Sequence, residues 1–188
     1  MGKTSIDRKA ILPIIDDCRD KGKSDQEIYF DLIEKYYDKK GIALLITGTT
    51  TPKNKEKFKA LNNLLVGLLG SSIILKILMI LTMSIVARQA WLLILVFVAP
   101  LFSGYFMYEI ARYNGPIYRM CGLITIATFL QSIQQINNAT DAILNIAFVA
   151  AIVGLSFYLD GKLFPDYSPS NLKKDDSGEF VLPQSVTS

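Results

Sequence analysis

Residues 64–86 read LLVGLLGSSIILKILMILTMSIV and carry a single charge, Lys76. Twelve of these positions are Leu or Ile. An α-helix rises about 1.5 Å per residue, so roughly 20 residues cross a hydrocarbon layer about 30 Å thick. A lysine near the middle costs about 2.5–3.5 kcal/mol, but each Leu or Ile returns about 0.3–0.6 kcal/mol, and twelve of them outweigh it. The run shows no period-two alternation, and in lipid only a helix or a closed barrel satisfies the backbone, so it reads as a transmembrane helix.

Working outward, three further apolar stretches follow, Ala90–Tyr108, Pro116–Ile133 and Asp141–Leu159. The fold expected is an all-α integral membrane protein. Four transmembrane helices, at about 52–87, 90–108, 116–136 and 141–159, form a domain over 52–160. A small N-terminal cytosolic helical domain (1–51) precedes it and a cytosolic tail (161–188) follows. Charge tests the layout independently. The segments 1–60, 109–119 and 160–188 hold eighteen Lys and Arg, whereas the opposite loops hold Arg88 alone. The positive-inside rule puts both termini in the cytoplasm. No apolar signal segment precedes the charged start, where Arg8, Lys9, Asp16, Asp17, Arg19 and Asp20 surround Pro13.

The N-terminal part is patterned for packing. Ile6, Ile11, Leu12, Ile14 and Ile15 suggest a first helix. Ser24-Asp25-Gln26-Glu27 is a capping box, and Ile28, Leu32, Ile33 and Tyr36 follow at helical spacing. Gly41–Ile46 forms a short third element before Gly48. Thr51-Pro52 is a helix start, with Thr as N-cap and Pro where its missing amide costs nothing. No breaker follows until Arg88, which predicts one helix over Pro52–Ala87, its first turns a basic stalk. Near the other end, Asp175-Asp176-Ser177-Gly178 lies between Lys173-Lys174 and Phe180-Val181, readable as the turn of a small hairpin or as part of an open polar tail.

Catalytic classes fall away early. The chain has no histidine, which removes Ser-His and Cys-His hydrolases, His-ligated zinc peptidases and ordinary haem ligation. Gly2-Lys3-Thr4 lacks the upstream strand and glycine of a phosphate-binding loop, and Ile6 stands where a myristoylation signal needs Ser or Thr. Cys18 and Cys121 fall in different solvents and read as free thiols. No enzyme activity, cofactor or metal is expected.

The polar residues within or beside the spans are the candidate sites. Lys76 either faces a water-filled path between copies of the chain, or snorkels or pairs with a neighbouring helix. Thr125, Thr128, Gln131, Gln135 and Asn138 continue a line from Cys121 near one helical face, fit for a hydrated passage or for hydrogen bonds between helices. Asp141 and Asn145 suit a cap at the outer start of the fourth span, and Glu109 and Arg112 an interfacial ion pair. Lys53, Lys55, Lys57 and Lys59 form a basic collar for lipid headgroups or an anionic cytosolic ligand such as a nucleotide or oligonucleotide. Small residues at Gly67–Ser71, Ala147–Ala151 and Ala150–Gly154 permit close helix approach, within the chain or between copies.

The stretch Lys23–Tyr29 (KSDQEIY), GTTTPKNKEKFKALNN at 48–63, Lys162-Leu163-Phe164-Pro165 and KKDDSGEFV at 173–181 together resemble a group of small, largely uncharacterised bacterial membrane proteins. In layout, a short cytosolic helical domain with four spans, the chain is also similar to the membrane effectors of two-gene anti-phage defence systems, such as the Hailong channel subunit. That resemblance implies a homo-oligomeric inner-membrane channel or pore, gated from its cytosolic side by an anionic ligand or a regulatory protein. A non-conducting scaffold or anchor that recruits a cytosolic partner is the alternative.

Overall fold

A computed structural model describes residues 7–88, 93–132, 139–165, 167, 172–176 and 178–182. Among the described residues the chain is all-helical. Its seven helices are α1 (Arg8–Asp20), α2 (Asp25–Ile33), α3 (Lys39–Thr47), α4 (Pro52–Ala87), α5 (Leu93–Ala111), α6 (Gly115–Ser132) and α7 (Ala139–Leu163). They divide between two units, one comprising residues 1–57 and 162–188, the other residues 58–161.

In the first unit the helix ends are fixed by side chains. The Glu27 amide donates to Ser24 Oγ at 3.3 Å and the Ser24 amide to the Glu27 carboxylate at 2.7 Å, which is the expected capping box. Those Ser24 hydrogen bonds hold the Glu27 carboxyl below its ordinary value. Asp38 caps α3 by accepting from the Gly41 amide at 2.8 Å, and Gly48 closes it. Ile11 and Ile15 of α1, Ile28, Tyr29 and Leu32 of α2, and Ile42, Ala43 and Ile46 of α3 make the core.

Arg19 ties the three helices together. Its side chain is 6% exposed and grips both oxygens of Asp25, at 2.8 and 2.9 Å. The remaining donors reach the carbonyls of Ile46 (3.0 Å), Thr49 (2.8 Å) and Thr50 (3.4 Å), so every face of the guanidinium fork is used and the end of α3 is satisfied.

The C-terminal segment belongs to this same unit. Phe180 and Leu182 enter the core, while Val181 between them stays exposed, the alternation of an extended strand. The hairpin reading, not the open tail, is what forms. Lys174 and Phe180 pair antiparallel, Gly178 takes φ +81°, and the Asp175 carboxylate accepts from the Glu179 amide at 2.9 Å. The segment's outer partners are side chains of α2 and α3. Gln26 donates to the Phe180 carbonyl (3.2 Å) and accepts from the Leu182 amide (2.6 Å). Glu179 accepts from Tyr29 Oη at 3.0 Å and from the Lys39 ammonium. Lys39 holds the Glu179 carboxyl below its ordinary value, and burial pushes the Tyr29 phenol up to about 12.

Two helices among the described residues, lying mostly in the second unit, are long and apolar enough to cross a membrane, over Pro52–Val86 and Ala142–Leu163. Only 17% of the most apolar stretch of each is buried, unlike the core helix of a soluble domain. Ile74, Leu78, Met83, Ile85, Phe102 and Ile143 all face outward. α4 keeps the bounds expected from Thr51-Pro52 and Arg88. The Asn54 amide donates to Thr51 Oγ1 at 3.3 Å, and Arg88 leaves the helix at φ +52°. α5 packs against α6 across the short turn at 112–114, where Tyr113 takes φ +56°.

Candidate functional site

Lys76 sits on α4 within the outward-facing apolar stretch, and its ammonium donates to Ser103 Oγ of α5 at 2.9 Å. One hydroxyl satisfies one of its three donors. The side chain is exposed on the surface of the unit.

The polar stripe of α6 is arranged differently. Cys121 is buried, Thr125 half-buried, and Thr128 and Gln131 exposed. Thr128 turns its hydroxyl back onto its own helix, donating to the Ile124 and Thr125 carbonyls at 3.0 Å each. Among the described residues no hydrogen bond joins Lys76 to Thr125, Thr128 or Gln131, but its ammonium lies within electrostatic reach of Cys121, the buried start of the stripe, which hydrogen-bonds Thr125. Gln135 and Asn138 lie outside the described residues.

The basic collar keeps three exposed members, Lys53, Lys57 and Lys59. Lys55 is half-buried and its ammonium meets the Asp16 carboxylate of α1 at 3.2 Å. The small-residue face of α7 is open. Ala147, Ala150, Ala151 and Gly154 are all exposed, and a methyl group added at Gly154 or at Gly67 would meet open space.

One expected role needs correction. Glu109 and Arg112 do not pair with each other. Arg112 lies over the Tyr108 ring at 5.3 Å and donates to its hydroxyl at 2.7 Å, while Glu109 accepts from Asn114 at 2.7 Å. The turn after α5 closes within three residues and carries Asn114 back onto Glu109, a contact that i, i+3 spacing along a continuing helix does not anticipate. The capping role expected of Asp141 and Asn145 falls beside residues 133–138, which lie outside the described residues; α7 is described from Ala139 onward.

Residues that the sequence did not single out join the helices at one end of the unit. Tyr118 Oη donates to Asn62 Oδ1 at 2.5 Å, and both side chains reach the Ile110 carbonyl, at 3.1 and 3.3 Å. This fastens α4 and α6 to the last turn of α5 in a fully buried setting, where polar groups need partners. Arg119 of α6 grips Asp160 of α7 through two nitrogens, at 3.0 and 2.8 Å. Asp160 is 5% exposed, and its other oxygen has no partner among the described residues. Polar residues near the ends of the expected spans were the available signal, but the positive-inside count treats Arg119 as a loop charge. No family model, curated protein or solved structure matches the chain, so the functional reading rests on its own residues.

Proposed function

We propose that the chain is not an enzyme but a four-span inner-membrane protein with both ends in the cytoplasm, whose copies assemble around a channel gated from the cytosolic side. The topology is supported by the company that Phe180 and Leu182 keep. They share a core with α1–α3, so the two chain ends belong on the same side of any membrane and the number of crossings is even. α4 and α7 supply two crossings, and α5 and α6, joined by a three-residue turn, cross as a pair. The eighteen-to-one charge imbalance puts the shared side in the cytoplasm.

The observation that carries the channel reading is Lys76. An ammonium held by a single hydroxyl, exposed at the middle of an apolar helix, is unfavourable against lipid and lies farther from either interface than a lysine side chain reaches. A second copy packed over Lys76 would surround it with protein and water instead, and the open small-residue face of α7 supports close packing between copies. A ring of such charges favours anions or controls wetting of a constriction. Flow through the path would dissipate ion gradients, in keeping with an effector of anti-phage defence that halts an infected cell. Nucleotides or oligonucleotides at Lys53, Lys57 and Lys59 are the class of cytosolic signal that these charges suit.

The Lys76–Ser103 hydrogen bond favours a second reading, in which Lys76 fastens α4 to α5 in a non-conducting scaffold that recruits a cytosolic partner. Ion flux through purified protein in liposomes separates the two. Lys76→Leu should leave insertion and assembly intact while changing conductance and the growth arrest caused by expression. If Lys76→Leu and Lys76→Gln both assemble and behave as the parent, Lys76 is not part of a path. Loss of assembly in Lys76→Leu supports the scaffold role.

A further inference from the structure

We propose that the α2–α3 face of the first unit is a peptide-binding site whose resident ligand is the chain's own Lys173–Leu182 segment, held as a releasable latch. The ligand class is an extended peptide presenting a carboxylate, an aromatic ring, one outward residue and an aliphatic side chain, in this chain Glu179-Phe180-Val181-Leu182. The inference goes beyond the channel reading and stands whether or not the membrane part conducts.

Three observations carry it. First, the helices hold one another without the segment. Arg19 joins α1 to Asp25 at the start of α2 and to the carbonyls at the end of α3, and eight of the ten core residues come from those helices. Second, the segment's outer edge, the one not paired within its own hairpin, is read by side chains of α2. Gln26 takes the Phe180 carbonyl and the Leu182 amide together, as a strand edge would, and Tyr29 Oη accepts from the Phe180 amide at 3.4 Å. Lys39 and Tyr29 converge on the Glu179 carboxylate, which gives the site a charge preference. Third, the segment holds its own turn by contacts that do not involve the helices. Asp175 holds the Glu179 amide, the Val181 amide donates to the Lys173 carbonyl at 3.0 Å, and the Lys174 ammonium lies 5.0 Å from the Phe180 ring centre. A ligand ordered in advance loses less freedom on binding. A segment resting on two buried side chains and a few polar contacts opens more readily than the helices beneath it.

Hydrogen exchange on the full chain in detergent tests this directly. The Phe180 and Leu182 amides should exchange at least tenfold faster than those of Ile28 and Leu32, and Glu179→Gln should speed the former severalfold while leaving the latter unchanged. A labelled synthetic peptide of residues 173–182 should bind a chain ending at residue 171, and bind the full-length chain at least tenfold more weakly because its site is filled. Exchange of the segment in step with α2 would overturn the proposal, since the segment would then be a permanent part of the fold. Equal peptide binding to both chains would overturn it as well. So would loss of amide protection in α1–α3 on truncation, because a site must outlast its occupant.

Discussion

In the first unit Ile28, Ile42 and Ile46 are sealed from solvent, while in the second Ile85 is 76% and Ile143 67% exposed. The same side chain is placed by opposite rules. Water drives apolar surface inward in the first unit, where eight residues from three short helices suffice for a core with Phe180 and Leu182 added. Lipid is as apolar as isoleucine and exerts no such drive, so helices in a bilayer are held by close packing and by polar contacts between them. On the membrane reading proposed above, the second unit follows that rule with Tyr118–Asn62, Arg119–Asp160 and Lys76–Ser103. Polar residues thus organise both units. In the first, Arg19 supports a core; in the second, polar pairs hold together helices whose apolar faces turn outward.

The comparison can be broken most forcefully at Arg19. Arg19→Ala leaves Asp25 buried and unpaired and the end of α3 unsatisfied, and should cost about 3–5 kcal/mol. Amide exchange of α1–α3 in the solubilised full chain should rise accordingly, with the second unit unchanged. A loss confined to a few tenths of a kcal/mol would mean that Arg19 is not what joins the helices. A somewhat smaller effect separates the two environments outright. Ile74→Asp, on the outward face of α4, should oppose membrane insertion by about 2.5–3.5 kcal/mol, visible as a reduced inserted fraction. Ile14→Ser, on an exposed position of α1, should shift stability by under about 1 kcal/mol. Equal tolerance at both positions would mean that α4 is solvated by water.

The smallest effect comes from pH and is confined to the first unit. Glu179 has its carboxyl depressed by Lys39, so its contribution is present above the ordinary value of 4.5 and lost as pH falls below it. Tyr29 is raised by burial, so its contribution is present below 10.0 and lost as pH climbs from there toward about 12. A fluorophore on the exposed position 181 should therefore report the segment closed through neutral pH and opening at both extremes. A signal unchanged by strong alkali would remove Tyr29 from the contact.

Much of the helical outline was legible because its signals are local. Ser24 and Glu27 sit three residues apart, Thr51-Pro52 marks the start of α4 by its own chemistry, and Lys76 stands out as one charge in an apolar run. What stayed hidden depends on residues far apart in the chain. Arg19 looks like one charge among many until Ile46 and Thr49 fold back to it, 27 and 30 positions away. Phe180 and Leu182 make too short an alternation, beside too many acidic residues, to announce a place in a core. The candidate site was half legible. The sequence marks Lys76, but not Ser103, which becomes its partner only when α5 returns beside α4. Nor could it foresee that Thr128 would donate to its own helix.

The order in which the chain is made gives the docking of Phe180 and Leu182 a further meaning. Tyr29 and Glu179 are separated by 150 positions. At about 5–20 residues per second, the first helices leave the ribosome roughly 8–30 s before the residues that complete their core. On the topology proposed above, every apolar helix enters the bilayer during that interval, and an error that strands the final segment on the far side leaves the gap beside Tyr29 open. On that topology a wrongly threaded copy displays uncovered apolar surface to chaperones and proteases, and a correctly threaded copy does not. The last ten or so described residues would then act as a seal that only a correctly threaded chain can apply.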